Sequence, residues 1–242
     1  METVIAQRLT ELNSLFYQTF AQPFSDTRQR LQPGVRRVLE SMSAQADILD
    51  IGCGNGEVWQ ALYQRGHRGH YTGLDFSPGL LEIAASGVPE DITQARFIAA
   101  DLADPDWTTG LLNGRYAYIT AFAVLHHLPG EGLRQRVLEN IHELLIPDGI
   151  FILSVWQFLN SPRLVTRIQS WDRIGLHAGD VDPGDYLLDW RHGGSGLRYV
   201  HHFSPEELDT LAQASGFVIM DSFLSDGENN RLGLYQRWRL HA

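Results

Sequence analysis

The sequence predicts an α/β protein with a doubly wound, mostly parallel sheet, and three observations lead to this fold class. Five short apolar stretches between residues 48 and 155 alternate with segments that have helical periodicity. The first stretch ends in a glycine-rich turn, and two further strand-like stretches close the chain after a long irregular segment. Strands that alternate with helices are connected by right-handed crossovers, which makes neighbouring strands parallel.

The composition is that of an ordinary globular protein and excludes several other classes. The 242 residues are 43% hydrophobic and 20% charged, which suits one large α/β domain or a domain with an appended cap. A single cysteine excludes a disulfide framework and a multi-thiolate zinc site, and it fits a reducing compartment. No apolar stretch approaches the ~20 residues that cross a bilayer, and the first residues lack a signal-peptide pattern. We therefore expect a cytoplasmic protein with no membrane partner.

The charge balance argues against general nucleic-acid binding. The net charge is −10, whereas proteins that coat nucleic acid usually carry a basic face. All 19 basic residues are arginines, either through a compositional bias or because some guanidinium groups bind carboxylate or phosphate with two hydrogen bonds. Several of them share one short segment without acidic residues, namely Arg28, Arg30, Arg36 and Arg37.

The pattern divides the chain into four parts, of which the first two are a cap and a core. Residues 1–44 form an N-terminal helical cap, in which Ile5, Leu9, Leu12 and Phe16 recur at helical spacing and Pro33 starts a second helix. Residues 45–156 form the core. Its predicted strands are Ile48–Ile51, His70–Asp75, Arg96–Ala100, Tyr116–Phe122 and Ile150–Val155.

The last two parts depart from the rhythm of the core. Residues 157–203 contain five Arg, five Asp and four His without a clean period, which predicts a lid or substrate insertion that is either functional or partly mobile. Residues 204–242 form a closing helix and an antiparallel strand pair of the same domain. Ser204 is the predicted N-cap of this helix, and the predicted strands are Phe217–Phe223 and Leu232–Trp238.

A glycine-rich turn at the end of the first strand is the strongest functional signal. The segment Asp50-Ile51-Gly52-Cys53-Gly54-Asn55-Gly56 allows a sharp turn and a close approach of the backbone to a ligand. It is not the dinucleotide fingerprint, because its third glycine comes one residue early. Asp75 ends the second strand, where it can accept both hydroxyls of a ribose, and Asp101 follows the third strand, where it can face an adenine. Three such features on one sheet edge predict a nucleotide-type cofactor, although each acid alone is more often a cap or turn residue.

Four motifs resemble those of class I S-adenosylmethionine-dependent methyltransferases. They are Asp50 to Gly56, Gly73-Leu74-Asp75-Phe76-Ser77-Pro78, Ala100-Asp101-Leu102 and Ala123-Val124-Leu125-His126-His127-Leu128. The resemblance covers about residues 45–155 and implies a seven-stranded sheet whose last strand is antiparallel, with S-adenosyl-L-methionine as the cofactor. It also implies that Gly52 and Gly54 line the methionine part, Asp75 the ribose, and Asp101 with Leu102 the adenine. The implied cofactor site comprises Asp50, Gly52, Cys53, Gly54, Asp75, Phe76, Asp101, Leu102 and Phe122.

Absent motifs narrow the choice of methyl acceptor. The fourth strand ends in Ala121-Phe122-Ala123-Val124 and lacks the Asn/Asp-Pro-Pro-aromatic signature of methyltransferases that act on planar amino nitrogens. Methylation of a pyrimidine carbon generally uses a cysteine nucleophile, and the only cysteine lies in the glycine-rich turn. Direct displacement onto oxygen, nitrogen or sulfur remains, and an anionic acceptor needs alignment and exclusion of water more than a base.

A second resemblance involves the segments outside the core. The stretch from Tyr17 to Pro33, with Phe24-Ser25-Asp26-Thr27-Arg28 inside it, is similar to the N-terminal segment of eukaryotic transfer-RNA carboxymethyl-uridine methyltransferases. Later segments resemble the C-terminal half of that family, namely Gly184-Asp185, Trp190-Arg191 and Arg198-Tyr199 with His201. This resemblance implies esterification of a carboxylate on a wobble uridine, and a possible need for a small activator subunit.

The candidate catalytic residues are Arg28 and His126. Arg28 would clamp the carboxylate of the acceptor or of the methionine, unless it is a surface arginine beside a helix. His126, in preference to His127, would face the site and orient the acceptor or accept a proton. The candidate substrate-binding residues are Tyr17, Trp190, Arg191, Arg198, Tyr199 and His201. Those after Tyr17 form either a lid that stacks a base and meets phosphates or an ordinary loop. We expect no metal site, because His201 and His202 are adjacent and point apart.

Three functional hypotheses follow. The leading one is an S-adenosylmethionine-dependent methyltransferase that O-methylates a carboxylate on a modified wobble uridine of tRNA. The first alternative is a small-molecule O-methyltransferase acting on a metabolite or a quinone-like phenol. The second is a catalytically silent methyltransferase-like subunit that activates a partner. The cofactor core is the same in the first two cases and does not separate them.

Overall fold

The computed structural model describes residues 1–26, 30–111, 116–227 and 229–240, with the backbone alone for residues 22–26. In chain order its strands are β1 (Ile48–Ile51), β2 (Tyr71–Asp75), β3 (Ala95–Ala99), β4 (Tyr116–Phe122), β5 (Leu145–Trp156), β6 (Ile168–Gln169), β7 (Asp185–Trp190), β8 (Gly196–His201), β9 (Phe217–Ser225) and β10 (Gly233–Leu240). Its helices are α1 (Thr3–Asp26), α2 (Pro33–Leu39), α3 (Glu57–Gln64), α4 (Pro78–Ser86), α5 (Glu131–Leu144), α6 (Pro162–Val165) and α7 (Pro205–Ala214).

Seven of these strands form the central sheet in the order β3-β2-β1-β4-β5-β10-β9. The strands β1 to β5 are parallel to one another, and β10 is antiparallel to both β5 and β9. The predicted doubly wound, mostly parallel fold with an antiparallel end is therefore confirmed. The carboxyl ends of β1, β2 and β4 meet at one edge of the sheet, which is where such folds bind ligands.

Hydrophobic layers cover the two faces of the sheet. On one face α5 and α7 pack through residues such as Val137, Ile141 and Leu208, which are fully buried. On the other face α2 and α3 pack through Val38 and Trp59. The apolar residues of these helices recur with the 3.6-residue period that the sequence shows. Burial of these side chains against both faces of the sheet holds the sheet between the helices.

Side-chain caps start two of the helices where the sequence places them. The Ser77 hydroxyl accepts a hydrogen bond from the Leu80 backbone N–H at α4. The Ser204 hydroxyl accepts one from the Glu207 backbone N–H, 3.1 Å away, at α7. Both helices also carry proline at the first position, where the missing N–H costs nothing.

The segment 157–203 contains more regular structure than its irregular sequence pattern indicates. The strands β6, β7 and β8 form a separate antiparallel sheet of three strands, whose core includes Phe158, Leu188 and Val200. The sequence does not show the alternation of apolar and polar residues that is typical of strands here, because Asp185 and Arg198 are buried polar residues of these strands. This sheet packs against α1 through β8. A role as a lid, and the four-part division of the chain, remain predictions.

The described helices can be compared with a membrane-spanning helix in length and hydropathy. Among the residues that the structure describes, no helix combines the length and the hydropathy that a bilayer crossing requires.

Candidate active site

The glycine-rich turn after β1 adopts a backbone that requires glycine. Gly52, Gly54 and Gly56 have φ values of +70°, +55° and +80°, in the left-handed region that side chains disfavour. A Cβ atom on Gly52 would also lie 2.4 Å from Cγ2 of Val124, whereas one on Gly54 would meet no atom within 4 Å. The turn therefore presses against the end of β4 on one side and is open on the other.

The open side of this turn faces a cavity of about 210 Å³. All nine predicted cofactor residues line it, which are Asp50, Gly52, Cys53, Gly54, Asp75, Phe76, Asp101, Leu102 and Phe122. The cavity is covered from the N-terminal side by α1 and by residues 30–32 before α2. The structure thus brings together residues from four successive strand ends, as the motif spacing predicts.

Asp50 is a buried acid at the base of the cavity. Its carboxylate accepts hydrogen bonds from the Tyr71 hydroxyl and the Thr120 hydroxyl, each 2.6 Å away. Burial raises the pKa of Asp50 to about 6, although these two hydrogen bonds favour the charged form. A cation bound in the cavity would favour the carboxylate form, so this acid is suited to a positively charged ligand.

Asp75 connects the end of β2 to the glycine-rich turn. Its two oxygens accept hydrogen bonds from the backbone N–H groups of Gly54 and Ser77, each at 2.9 Å. Burial raises the pKa of Asp75, against the effect of these hydrogen bonds. Each carboxylate oxygen has a second lone pair, so Asp75 can still accept the two hydroxyls of a ribose. Asp101 is exposed and accepts a hydrogen bond from the Ala103 N–H at 2.9 Å.

Cys53 lines the cavity as a buried, neutral thiol. Burial raises the pKa of this thiol well above its usual value, and the nearby Asp50 and Asp75 raise it further. Since the thiolate is the reactive form, Cys53 is not suited to be a nucleophile. This agrees with the inference that the chemistry is direct displacement.

The sequence predicts that His126 rather than His127 faces the site, but in the structure His127 lines the cavity and His126 does not. His126 is 1% exposed, and its Nδ1 accepts a hydrogen bond from the Trp156 backbone N–H at 3.3 Å. Among the described residues that line the cavity, the histidine is His127. The two follow β4 in a single 3-10 turn, Leu125–His127, whose geometry sends adjacent side chains in different directions, and the sequence does not determine which direction meets the cavity.

His127 forms a pair with Tyr17 inside the cavity. The Tyr17 hydroxyl lies 2.7 Å from Nε2 of His127, and Nδ1 of His127 lies 3.3 Å from the Tyr199 backbone carbonyl. A carbonyl only accepts, so Nδ1 carries the proton of the neutral ring and Nε2 accepts from Tyr17. Tyr17, a predicted substrate-binding residue, thus lines the cavity, and its role there remains a prediction.

Most of the predicted substrate-binding residues of the insertion lie elsewhere. Tyr199 and His201 are buried, and both bond to Asp185. Arg198 is buried against aromatic rings, with its guanidinium 4.8 Å from the centroid of Trp156. Buried hydrogen-bonding groups of this kind hold the insertion together, so Arg198, Tyr199 and His201 are not available to a substrate in this structure. The sequence could not reveal this, since polar residues on a strand give no indication of which face is covered.

Trp190 is half-buried and Arg191 is exposed, and neither is among the described residues that line the cavity. The Trp190 ring packs edge-on against Phe16 at 5.7 Å, and Arg191 is ion-paired with Asp189 at 2.7 Å. Arg28, the predicted carboxylate clamp, lies outside the described residues. Its role remains a prediction.

Sequence reasoning missed several cavity residues, among them Arg30 and Asn13. Arg30 is the only guanidinium among the described residues that line the cavity, and its position in the acid-free arginine segment was the available signal. Asn13 is buried on α1 between Leu9 and Phe16. A polar residue on the apolar face of a helix was the signal for it. No cluster of metal-binding side chains occurs in the described ranges.

His201 joins the insertion to α7 in a way that should depend on pH. Its ring nitrogens lie 2.6 Å from Asp185 and 2.7 Å from Glu207. Burial alone would lower the pKa of His201, but the hydrogen bonds to the two carboxylates outweigh it and raise the pKa above 6.5. The charged ring therefore stabilises the fold below pH 6.5, and this contribution is lost as pH rises through the folded-state pKa.

We expect the melting temperature of the wild type to fall between about pH 6 and about pH 9 more than that of a His201→Gln variant. Thermal melting of both proteins across this range measures the difference. Parallel curves for the two proteins would contradict the assignment of the charge to His201.

Comparisons with known proteins agree with this geometry. Residues 24–222 match the model of a family described as a methyltransferase domain. A tRNA (carboxymethyluridine(34)-5-O)-methyltransferase of Schizosaccharomyces pombe is 28% identical over 227 residues, covering 85% of this chain and 88% of that protein. The protein of the same name from Arabidopsis thaliana is 29% identical, and the match covers 58% of this chain but 31% of that protein. The chain therefore spans about a third of that longer relative.

Other relatives act on small molecules, and solved structures share the fold. A 2-heptyl-1-hydroxyquinolin-4(1H)-one methyltransferase of Mycobacteroides abscessus is 29% identical over 52% of each chain. The 1,6-didemethyltoxoflavin-N1-methyltransferase of Burkholderia thailandensis, solved with S-adenosylhomocysteine, has a TM-score of 0.61 and 22% identity over 95% of this chain and 88% of that chain. A Haloferax volcanii methyltransferase structure, solved as a complex with the Trm112 activator, has a TM-score of 0.66 and 15% identity over 93% of this chain and 96% of that chain.

Proposed function

We propose a function from one premise, which is that the chain belongs to the methyltransferase domain family. In this proposal the chain is an S-adenosylmethionine-dependent enzyme that methylates a carboxylate oxygen, most concretely that of a carboxymethyl group on the wobble uridine of tRNA. The observation that carries the proposal is the match to the Schizosaccharomyces pombe enzyme along nearly the whole of both chains. Membership of the family also favours an enzyme over a silent subunit.

The charges around the cavity support this methyl donor. Four acidic residues line it, namely Asp50, Glu57, Asp75 and Asp101, against the guanidinium of Arg30. The donor carries a sulfonium and an ammonium group against one carboxylate, so its charge complements this lining. When bound, S-adenosylmethionine would supply an electrophilic methyl carbon to an acceptor oxygen, with S-adenosylhomocysteine as the leaving group. Asp75 would hold the ribose, and the open side of Gly54 leaves room for the methionine part.

The side chains opposite the glycine-rich turn support an oxygen acceptor. Tyr17 and His127 present a hydroxyl bonded to a neutral ring, and this pair would orient the acceptor while α1 excludes water. Arg30 would bind a carboxylate, either that of the acceptor or that of the donor. A carboxylate acceptor is already anionic, which is why alignment rather than a base would carry the reaction.

The experiment that tests the proposal is methylation of tRNA that carries carboxymethyluridine, with mass spectrometry of the digested nucleosides. We expect the methyl ester to form at the wobble position, with or without a small activator subunit added in separate reactions. Formation of no ester in either reaction would contradict the tRNA proposal. In the same assay, an Arg30→Gln variant should lose turnover with unchanged donor affinity if Arg30 binds the acceptor. Equal losses would assign Arg30 to the donor carboxylate.

A small-molecule oxygen acceptor is the second candidate. The net charge of −10 disfavours a polyanion, whose binding depends on neutralised phosphates. The aromatic rings of Tyr17, Phe76 and Phe122 line the cavity and suit a planar molecule. Methyl transfer to hydroxyquinolines or phenols, together with no tRNA binding at low salt, would favour this candidate.

A further inference from the structure

Asn13 makes three hydrogen bonds that no sequence motif predicts. Its Nδ2 group donates to the backbone carbonyls of His127 and Tyr199, each 3.1 Å away. Its Oδ1 atom accepts from the Tyr199 backbone N–H at 2.8 Å. The side chain therefore pairs with β8 in the way that a neighbouring strand would, and it holds the 3-10 turn after β4 at the same time.

These bonds use both hydrogens and the oxygen of the amide, so few other side chains can replace it. A carboxylate would set its oxygens against two carbonyl oxygens, and a hydroxyl cannot donate twice. Asn13 is buried, where an unpaired polar group is costly. The arrangement is thus specific for asparagine, on the helix that also carries Tyr17 one turn further along.

The same contacts determine the position of the Tyr17 and His127 pair. The Tyr199 carbonyl that accepts from Asn13 also faces Nδ1 of His127, and the His127 carbonyl is held by the same amide. The elements α1, β8 and the 3-10 turn meet through this point and through the pair itself. Moving any one of them would change the 2.7 Å contact between the Tyr17 hydroxyl and Nε2.

We propose that Asn13 is a positioning residue for methyl transfer, which fixes the ring orientation and the Nδ1-protonated form of His127 and so aims the Tyr17 hydroxyl at the acceptor. This inference rests on the proposed function, because it assigns the pair to the acceptor side of the cavity. The titratable groups that face His127 are Tyr17 from α1 and His126, whose ring centroid is 4.2 Å away. The Asn13 substitutions change neither of these two side chains chemically.

The test uses the whole protein with Asn13→Ser and Asn13→Asp variants. The matched controls are Asn160→Ser and Asn160→Asp, since the Asn160 amide also donates to a distant backbone carbonyl, that of Arg231 at 2.9 Å. Long-range proton–nitrogen NMR of the histidine rings reports the protonated nitrogen of His127 without any acceptor, with a His127→Gln variant to assign the signal. Turnover on carboxymethyluridine tRNA and the Kd of S-adenosylhomocysteine are measured alongside.

We expect both Asn13 variants to lose the single Nδ1-protonated form and to lower kcat by about 10- to 100-fold, with the Kd of S-adenosylhomocysteine unchanged. The Asn160 controls should retain the wild-type kcat and spectrum. An unchanged His127 spectrum in a folded Asn13→Ser variant would overturn the inference, and so would a kcat loss that only parallels a loss of melting temperature and Kd. If Asn13→Asp does not fold, Asn13→Ser decides. If the wild type methylates no tRNA, the proposed function fails, and the NMR result still decides whether Asn13 fixes His127.

Discussion

Replacement of Asp75 with alanine is expected to weaken binding of S-adenosylhomocysteine by about 10- to 100-fold, as measured by calorimetry. The carboxylate is buried and already accepts hydrogen bonds from the Gly54 and Ser77 backbone N–H groups. Its removal leaves both donors unpaired, breaks one of the hydrogen bonds that join the glycine-rich turn to β2, and deprives a ribose of its acceptors. Each unpaired buried group costs about 1–3 kcal/mol, so the melting temperature should also fall.

An Asp75→Asn variant separates the two effects of this change. The amide retains one acceptor oxygen and most of the volume, so it should keep more of the stability than of the ligand affinity. The control is Asp221→Ala, which removes a partly exposed carboxylate that pairs with Arg237 far from the cavity. A folded Asp75→Ala protein with the wild-type Kd would refute the placement of the ribose at this acid.

Replacement of His127 with alanine is expected to lower kcat by about 100-fold while the Kd of S-adenosylhomocysteine stays unchanged. The Tyr17 hydroxyl would lose the Nε2 acceptor that lies 2.7 Å away and would no longer be aimed into the cavity. A His127→Gln variant, which offers an oxygen acceptor in a similar place, should recover part of the rate. The dependence of kcat on pH distinguishes the acceptors, because a hydroxyl acceptor needs a base and a carboxylate does not.

His126 provides the matched comparison on the same turn. His126 is buried and accepts a hydrogen bond from the Trp156 backbone N–H. A His126→Gln substitution should therefore lower the melting temperature and change kcat little. A larger loss of kcat in His126→Gln than in His127→Ala would reverse the assignment of the two histidines. The two variants thus test the side-chain directions that the structure gives for adjacent residues.

The sequence predicted most of the sheet, and the nine residues that it predicted to bind the cofactor all line the cavity. Each predicted cofactor residue lies at or near a strand end, and strand ends are where the local signals are strongest. Gly52 and Gly54 are required by a left-handed backbone, and Asp75 directly follows an apolar strand. Local patterns of this kind determine their own geometry, because a parallel sheet brings successive carboxyl ends to the same edge.

The residues of the insertion that were predicted to bind the substrate do not line the cavity. Arg198, Tyr199 and His201 are polar residues of a strand, which suggested a surface, but all three are buried. The Arg198 guanidinium lies 5.3 Å from the centroid of the Phe16 ring on α1, and the Tyr199 backbone N–H donates to Asn13 on the same helix. Spacing within one segment contains no information about such partners, since they are brought together only by packing.

By itself the sequence determined the α/β class, the five core strands and the acids and glycines that line the cavity. Periodicity, turn glycines and caps act over a few residues, and they are sufficient for those features. Only the tertiary structure decided that His127 rather than His126 meets the cavity, that Arg30 and Asn13 contribute to it, and that the polar residues of the insertion are internal. Several of those outcomes depend on contacts between α1, β8 and the turn after β4. Asn13 on α1 and His127 in that turn, for example, are more than 100 residues apart in the sequence. Buried polar groups must find partners, and this requirement fixes such contacts.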